Sequence, residues 1–334
     1  MFRKIGVMTS GGDSPGMNPA VRAVVRTAAS KGVKVVGIRN GYEGLYTGDL
    51  VSLDDRSMSS ILERGGTILQ SSRCKQFYTP EGRAEALDNV GSYGIGGLIV
   101  IGGDGSLTGA RELSRMGLPT MGIPGSIDND LYGTDMCIGA DTAANTIMQM
   151  IDKIKDTARS HRRCFLVEVM GRSSGYLALT TAISAGAEIA VIPEYRVNVP
   201  RVLEVLHDRA ESSRDNSIIV LAEGVCEAHT FEKWLHESTG DREIRQEVRK
   251  TVLGHVQRGG VPTHFDRLLA SRMGELAVMS LLQGETGSMV ALQKSRVTVV
   301  DFDSVLGRKK HPAPELIRLA RNLNIEFGDV VEAA

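Results

Sequence analysis

The feature that most constrains this 334-residue chain is a recurring short, β-branched apolar run. It appears as KIGVM at 4–8, VKVVGI at 33–38, GLIVI at 97–101, PTMGI at 119–123, CFLVEVM at 164–170, AVIP at 190–193 and SIIVLAE at 217–223. Such runs are apolar without alternation, the pattern of strands covered on both faces, which is how parallel sheets are built. Helical patterns separate them. In DTAANTIMQMIDKIKDTARS, residues Ile147, Met150, Ile151 and Ile154 mark one apolar stripe, with Asp152, Lys153 and Lys155 off it. Strand alternating with helix predicts an α/β fold whose ligands bind beyond the carboxyl ends of the strands.

Bulk properties narrow the function. The length suits one large or two intimate domains. A formal net charge of −1 argues against a general affinity for nucleic acid or an anionic membrane, so any anion site must be local. Cys74, Cys137, Cys164 and Cys226 are widely spaced, which fits neither a zinc site nor a disulfide framework and makes a reducing, cytoplasmic setting the expectation. No apolar run approaches the roughly 20 residues of a membrane span, and MFRKIGVMTSGG turns polar too early for a secretory signal.

Three of the predicted strands end in small or polar residues. The first runs into TSGGDSPGMN, where Gly11 and Gly12 allow close backbone approach and a helix starts after Gly16, leaving N–H groups for a phosphate. The second runs into GGDGS: Gly102 and Gly103 make room, Asp104 can reach a cation, and Gly105 and Ser106 open a helix. The third runs into PGSIDND at 124–130, where Asp128 and Asp130 either converge on one ligand or form an Asx-type turn with the local backbone. Nothing matches the P-loop or the dinucleotide fingerprint. In parallel strands these three ends lie together, where a nucleotide over the glycines presents its terminal phosphate toward Asp128. Arg73, Arg172, His255 and Arg258, in glycine-flanked loops, add donors that match phosphate geometry.

These motifs, TSGGDSPGMN, GGT with SSR, IGGDGS, PGSIDND, VEVMGR, AEG and TVLGHVQRGG, resemble in content and order those of the bacterial 6-phosphofructokinase family over about residues 4–275. The resemblance implies two Rossmann-like α/β/α domains with mainly parallel sheets and an active site in the cleft between them. Residues 1–139 plus about 257–306 would bind ATP, and residues 140–256 plus about 307–334 fructose 6-phosphate. It implies transfer of the ATP γ-phosphoryl group to the sugar 1-hydroxyl, a Mg²⁺ requirement and an allosteric homotetramer in the cytoplasm.

Carried over by motif, Asp128 is the implied general base, with Arg172 and Gly12 as further catalytic positions. Gly12, Arg73, Cys74, Gly103, Asp104, Gly105 and Ser106 line the implied ATP site, and Asp104 holds the metal. Ser126, Ile127, Asp128, Met170, Gly171, Arg172, Glu223, His255, Val256, Gln257 and Arg258 bind the sugar phosphate. Arg163 and Arg249 match arginines that the family supplies across a subunit interface, so the resemblance implies shared sites. Ser126 stands where the family usually has Thr, which keeps the hydroxyl.

Arg22, Arg26, Lys155, Glu188 and Arg214 match an effector site in type. Asp55 and Ser60 replace an Arg and an Asp there, so ADP activation is not assumed. Tyr78 and Glu112 differ on the adenine side, where well-known members carry arginines. Pyrophosphate-using relatives typically carry Asp at the position of Gly105 and Lys at that of Gly125, so the two glycines favour ATP. The competing functions are a pyrophosphate-dependent phosphofructokinase and a non-catalytic phosphosugar or nucleotide sensor on the same scaffold. Against the sensor stands the joint presence of Asp104, Asp128 and Arg172.

Overall fold

The computed structural model describes residues 2–211, 216–239, 244 and 246–330. Each of the seven apolar runs is a strand. In chain order the strands are β1 (Lys4–Ser10), β2 (Lys34–Ile38), β3 (Leu50–Leu53), β4 (Leu98–Gly102) and β5 (Thr120–Pro124). Then come β6 (Cys164–Val169), β7 (Ile189–Val191), β8 (Tyr195–Arg196), β9 (Ser217–Ala222) and β10 (Val248–Val252). The last are β11 (Ser288–Gln293), β12 (Arg296–Asp301) and β13 (Asp329–Val330). The helices are α1 (Met17–Ser30), α2 (Gly41–Thr47), α3 (Pro80–Ser92), α4 (Asp104–Arg115), α5 (Ala140–His161) and α6 (Tyr176–Ala185). They continue with α7 (Val199–Glu211), α8 (Ala228–Glu237), α9 (His264–Leu282), α10 (Phe302–Val305) and α11 (Pro314–Asn322). No described helix is long and apolar enough to cross a membrane.

The chain forms two compact units. The first comprises Met1–Ile127, Leu131–Thr142 and Arg258–Lys309; the second comprises Asp128–Asp130, Ala143–Gln257 and Lys310–Ala334. The first holds a seven-stranded sheet in the order β12-β11-β5-β4-β1-β2-β3. Its five inner strands are parallel, and β3 and β12 join antiparallel at the edges. Alternation of side chains across the sheet divides the core. Val7, Ile99 and Ile101 pack with Val21 and Val24 of α1 and Met273 of α9. Met8, Leu98 and Val100 pack with Leu107 and Leu113 of α4 and Val90 of α3.

The second unit holds a four-stranded parallel sheet, β10-β6-β9-β7. One face, through Leu166, Ile219 and Leu221, packs on Val202 and Leu206 of α7 and Phe231 and Leu235 of α8. The stripe of α5 is centred slightly off the predicted line. Ala143, Ile147, Ile151 and Ala158 are fully buried, while Met150 and Ile154 flank them half-buried. The basic run at 308–310 leads into α11.

The start of α5 depends on a residue far away in sequence. Asp266 is fully buried, and its carboxylate accepts hydrogen bonds from Gly139 N and Thr142 N, each at 2.8 Å, and from Thr142 Oγ1 at 2.5 Å. Its own N–H donates to the Thr263 hydroxyl that caps α9. One side chain thus fills donors that the first turn of α5 cannot satisfy internally. Burial pushes the Asp266 carboxyl up to about 6, against those hydrogen bonds, which pull it down. A carboxyl whose pKa is raised on folding contributes stability in acid that is lost as pH rises through the folded value. Asp266→Asn does not titrate, so the unfolding free energy of the wild type relative to this variant should fall by about 2 kcal/mol between pH 4 and 7. Urea titrations of both proteins at the two pH values check this.

Candidate active site

The sheet register of the first unit brings three strand ends level. Ser10 pairs with Gly102, and Gly102 with Pro124; Gly125 N then donates to Gly102 O at 3.0 Å. The loops that follow, at Gly11–Gly16, Gly103–Ser106 and Gly125–Ile127, therefore start side by side. The N-cap of α4 is Gly103, with no side-chain cap, so the helix presents its first N–H groups at this edge. Asp104 is exposed there, with Oδ1 3.4 Å from Gly307 N, and open space surrounds the position a Gly105 side chain would take. Beneath, the buried Tyr42 hydroxyl donates to Ser106 O at 2.5 Å, and its ring stacks on Phe77 with centroids 4.0 Å apart. Burial holds the phenol well above its ordinary pKa, so it stays a neutral donor that fixes the first turn of α4.

The neighbouring loops are tied to the same edge. Ser71 Oγ donates to Gly11 O at 2.7 Å, and Thr9 Oγ1 to Gln70 O at 2.8 Å. Asn18, on α1, donates to Arg64 O and Gly65 O and accepts from Ile68 N at 2.8 Å, so one buried amide shapes the GGT segment. Arg73 is exposed beyond this segment. Cys74, expected to line the nucleotide site, turns its thiol into the core beside Phe77, and burial raises its pKa.

Arg258 lies over Gly12, where any added side chain would overlap its guanidinium, and its NH1 reaches Asp13 O at 3.4 Å. Its Nε is buried without a hydrogen-bond partner among the described residues. A buried guanidinium donor left unfilled fits an anionic ligand.

In the second unit, Asp128 is 4% exposed, and its Oδ2 lies 3.6 Å from Arg172 Nε. Asn129, at φ 47°, makes the turn that the PGSIDND composition suggested, and Asp130 is half-buried after it. Arg172 occupies the loop after β6, with its backbone at φ 50° and that of Gly171 at φ 145°. Its N–H donates to Glu223 Oε1 at 3.0 Å, and Glu223 itself follows β9, the parallel neighbour of β6. Gln257 is fully buried: Oε1 accepts from Met170 N at 3.1 Å and Nε2 donates to Gly254 O at 2.9 Å. Gln257, expected to touch substrate, thus secures the backbone at Met170 and Gly254, while His255 and Val256 beside it are exposed.

Arg163 and Arg249 both pair with Glu247, the former at 2.6 Å. Of the other expected residues, Ser126 is half-buried with its N–H donated to Ile138 O at 3.1 Å, and Ile127 is buried.

Two of the proposed effector residues, Lys155 and Glu188, have local partners. Lys155 donates to Ala185 O at the end of α6, and Glu188 pairs with Arg209 at 2.7 Å and accepts from Ile218 N at 2.7 Å. Arg22 borders a cavity of about 420 Å³ with Leu62, Pro262 and Arg267, whereas Arg26 is exposed on α1. Arg214 lies outside the described residues.

A profile of the phosphofructokinase family matches residues 4–281. The chain belongs to that family. Among curated phosphofructokinases, the ATP-dependent 6-phosphofructokinase of Halalkalibacterium halodurans is 48% identical over 97% of this chain and 100% of its own length. The enzyme of the same name from Thermotoga neapolitana is 49% identical over the same shares. Among solved structures, phosphofructokinase from Saccharomyces cerevisiae superposes with a TM-score of 0.85 at 36% identity, covering 96% of this chain and 50% of that longer one.

The phosphofructokinase loop at Gly171 is also a test of backbone strain. A Cβ there would sit 2.5 Å from Ser174 O, at a φ that residues with side chains rarely adopt. Gly171→Ala should cost about 2 kcal/mol or more of stability, measured by urea unfolding.

Proposed function

We propose that this chain is an ATP-dependent 6-phosphofructokinase, passing the γ-phosphoryl group of ATP to the 1-hydroxyl of fructose 6-phosphate to give fructose 1,6-bisphosphate and ADP. The observation that carries this reading is the level alignment of the ends of β1, β4 and β5, with the buried Asp128 three residues past the last glycine, Gly125. The unit containing Met1–Ile127 takes the nucleotide, with its phosphates against Gly12, the 103–106 loop, Arg73 and the α4 N-terminus. The unit containing Ala143–Gln257 takes the sugar through Met170, Gly171, Arg172, Glu223 and His255, and Arg258 meets the 6-phosphate with its unfilled buried Nε.

Asp128 accepts the proton of the sugar hydroxyl as that oxygen forms its bond to the γ-phosphorus and the bond to the ADP oxygen breaks. Arg172, whose side chain is 64% exposed beside Asp128, can reach the moving phosphoryl oxygens without being drawn out of a core. Asp104 fits Mg²⁺ by its chemistry: one exposed carboxylate beside a phosphate site is how this ion is commonly held, with phosphate oxygens and water completing its shell. When bound, Mg²⁺ neutralises charge on the β- and γ-phosphates.

The choice of ATP over pyrophosphate rests on Gly105 and Gly125. Space beyond Gly105 is open, and an Asp there would place a charge beside the phosphates. Gly125 is hemmed by Met17 Cε at 3.2 Å and Ile101 Cγ2 at 3.4 Å, so a lysine would have to displace its neighbours. The cytoplasm as its setting and a homotetramer that shares Arg163 and Arg249 between subunits belong to the same reading. Incubated with fructose 6-phosphate and Mg²⁺, the protein should form fructose 1,6-bisphosphate with ATP and little with pyrophosphate. Product with pyrophosphate alone would overturn the assignment of donor, and no product with either would overturn the function.

A further inference from the structure

Two carboxylates hold the loop between β6 and α6. Glu223 takes the N–H of Arg172. At the other end Glu194, three residues past β7, accepts the N–H of Gly175 on Oε1 at 2.8 Å. Gly175 is the N-cap of α6 and has no side chain to offer, and Glu194 sits where that side chain would be: an added Cβ would overlap Glu194 Oε2 and lie 2.5 Å from Ile192 Cβ. Ser174 N donates to Gly171 O at 2.8 Å, closing a turn around Arg172, and Tyr176 N reaches Ser174 Oγ at 3.2 Å. The run from Gly171 to Tyr176 is therefore a chain of short-range contacts pinned at both ends.

Glu194 is an expensive pin. Its Oε2 is buried with no hydrogen-bond partner among the described residues. Burial raises its carboxyl above the ordinary range, with the Gly175 N–H and the charge of His311 pulling it back. A helix N-cap alone needs only Ser, Thr or Asp at the start of the helix, at far lower desolvation cost. The reach from the separate turn after β7 makes sense where the turn preceding the helix must be held in one place.

We propose that Glu194 is a positioning residue for fructose 6-phosphate binding: by holding Gly175 it fixes the Gly171–Ser174 turn and hence the backbone that presents Arg172. This rests on the assignment of Arg172 to the sugar phosphate and the moving phosphoryl group. Glu194→Ala should raise KM for fructose 6-phosphate about tenfold and leave KM for ATP within about twofold of wild type. Glu194→Gln, which keeps an oxygen for the Gly175 N–H, should restore KM for fructose 6-phosphate to within about twofold.

Hydrogen exchange read on the same proteins should quicken about tenfold at the amides of Arg172–Tyr176 in the Ala variant and stay at the wild-type rate in the Gln variant. If Glu194→Ala does not fold, Glu194→Asp, one methylene too short to hold Gly175, should show both changes in the same direction. Unchanged sugar KM in folded Ala or Asp variants would overturn the proposal. So would a Gln variant as impaired as Ala, or KM for ATP rising in step with that for the sugar. A wild-type protein without phosphofructokinase activity would contradict the function and not the pin, which the exchange rates still read.

Discussion

The structure around the candidate site depends on the register of parallel strands. Because Ser10, Gly102 and Pro124 are level, the three loops that start at Gly11, Gly103 and Gly125, far apart in sequence, begin within one strand spacing of their neighbours. Each loop then needs only a few residues of its own: glycines for backbone access, one carboxylate at Asp104 and another at Asp128. The tight packing of Val7, Ile99 and Ile101 on one face and Met8, Leu98 and Val100 on the other is what keeps that register, since a slip of one residue would exchange the two faces.

The second unit uses the same device with different chemistry. Strands β6, β9 and β10 are parallel neighbours, and past their carboxyl ends come Gly171 and Arg172, Glu223, and His255. Leu253 N donates to Glu168 O and Glu223 N to Val169 O, so the loops continue the ladder before they diverge. A cation, a carboxylate and an imidazole are thereby set on rigid strand ends, where displacement is smallest. Arg172 in a left-handed backbone is a strain that the Glu223, Ser174 and Gln257 hydrogen bonds around its loop offset.

The inner strands were legible because burial on both faces leaves unbroken apolar runs. The edge strands β3 and β12 and the edge strand β10 are half-exposed and mix polar residues into short segments, so they have no such signature. The motif residues were legible as a series, and their three-loop convergence follows from parallel strands alone. Asp266, Asn18 and Glu194 were not legible, since each acts through partners 19 to 127 positions away that no local pattern records. For Cys74 and Gln257 the motif marked the position and left open the direction of the side chain. Both point inward, one into the core and one onto the backbone of Met170 and Gly254. PGSIDND did not require a choice between turn and site: the left-handed Asn129 makes the turn, and the turn sets Asp128 beside Arg172.

The most direct test of the account is the separation of chemistry from binding at Asp128. Removing its charge without changing its shape, by Asp128→Asn, should lower kcat by about 10²–10⁴-fold, while calorimetric Kd values for fructose 6-phosphate and for an ATP analogue stay within about threefold of wild type. A variant that turns over at the wild-type rate would contradict the assignment of the proton to Asp128.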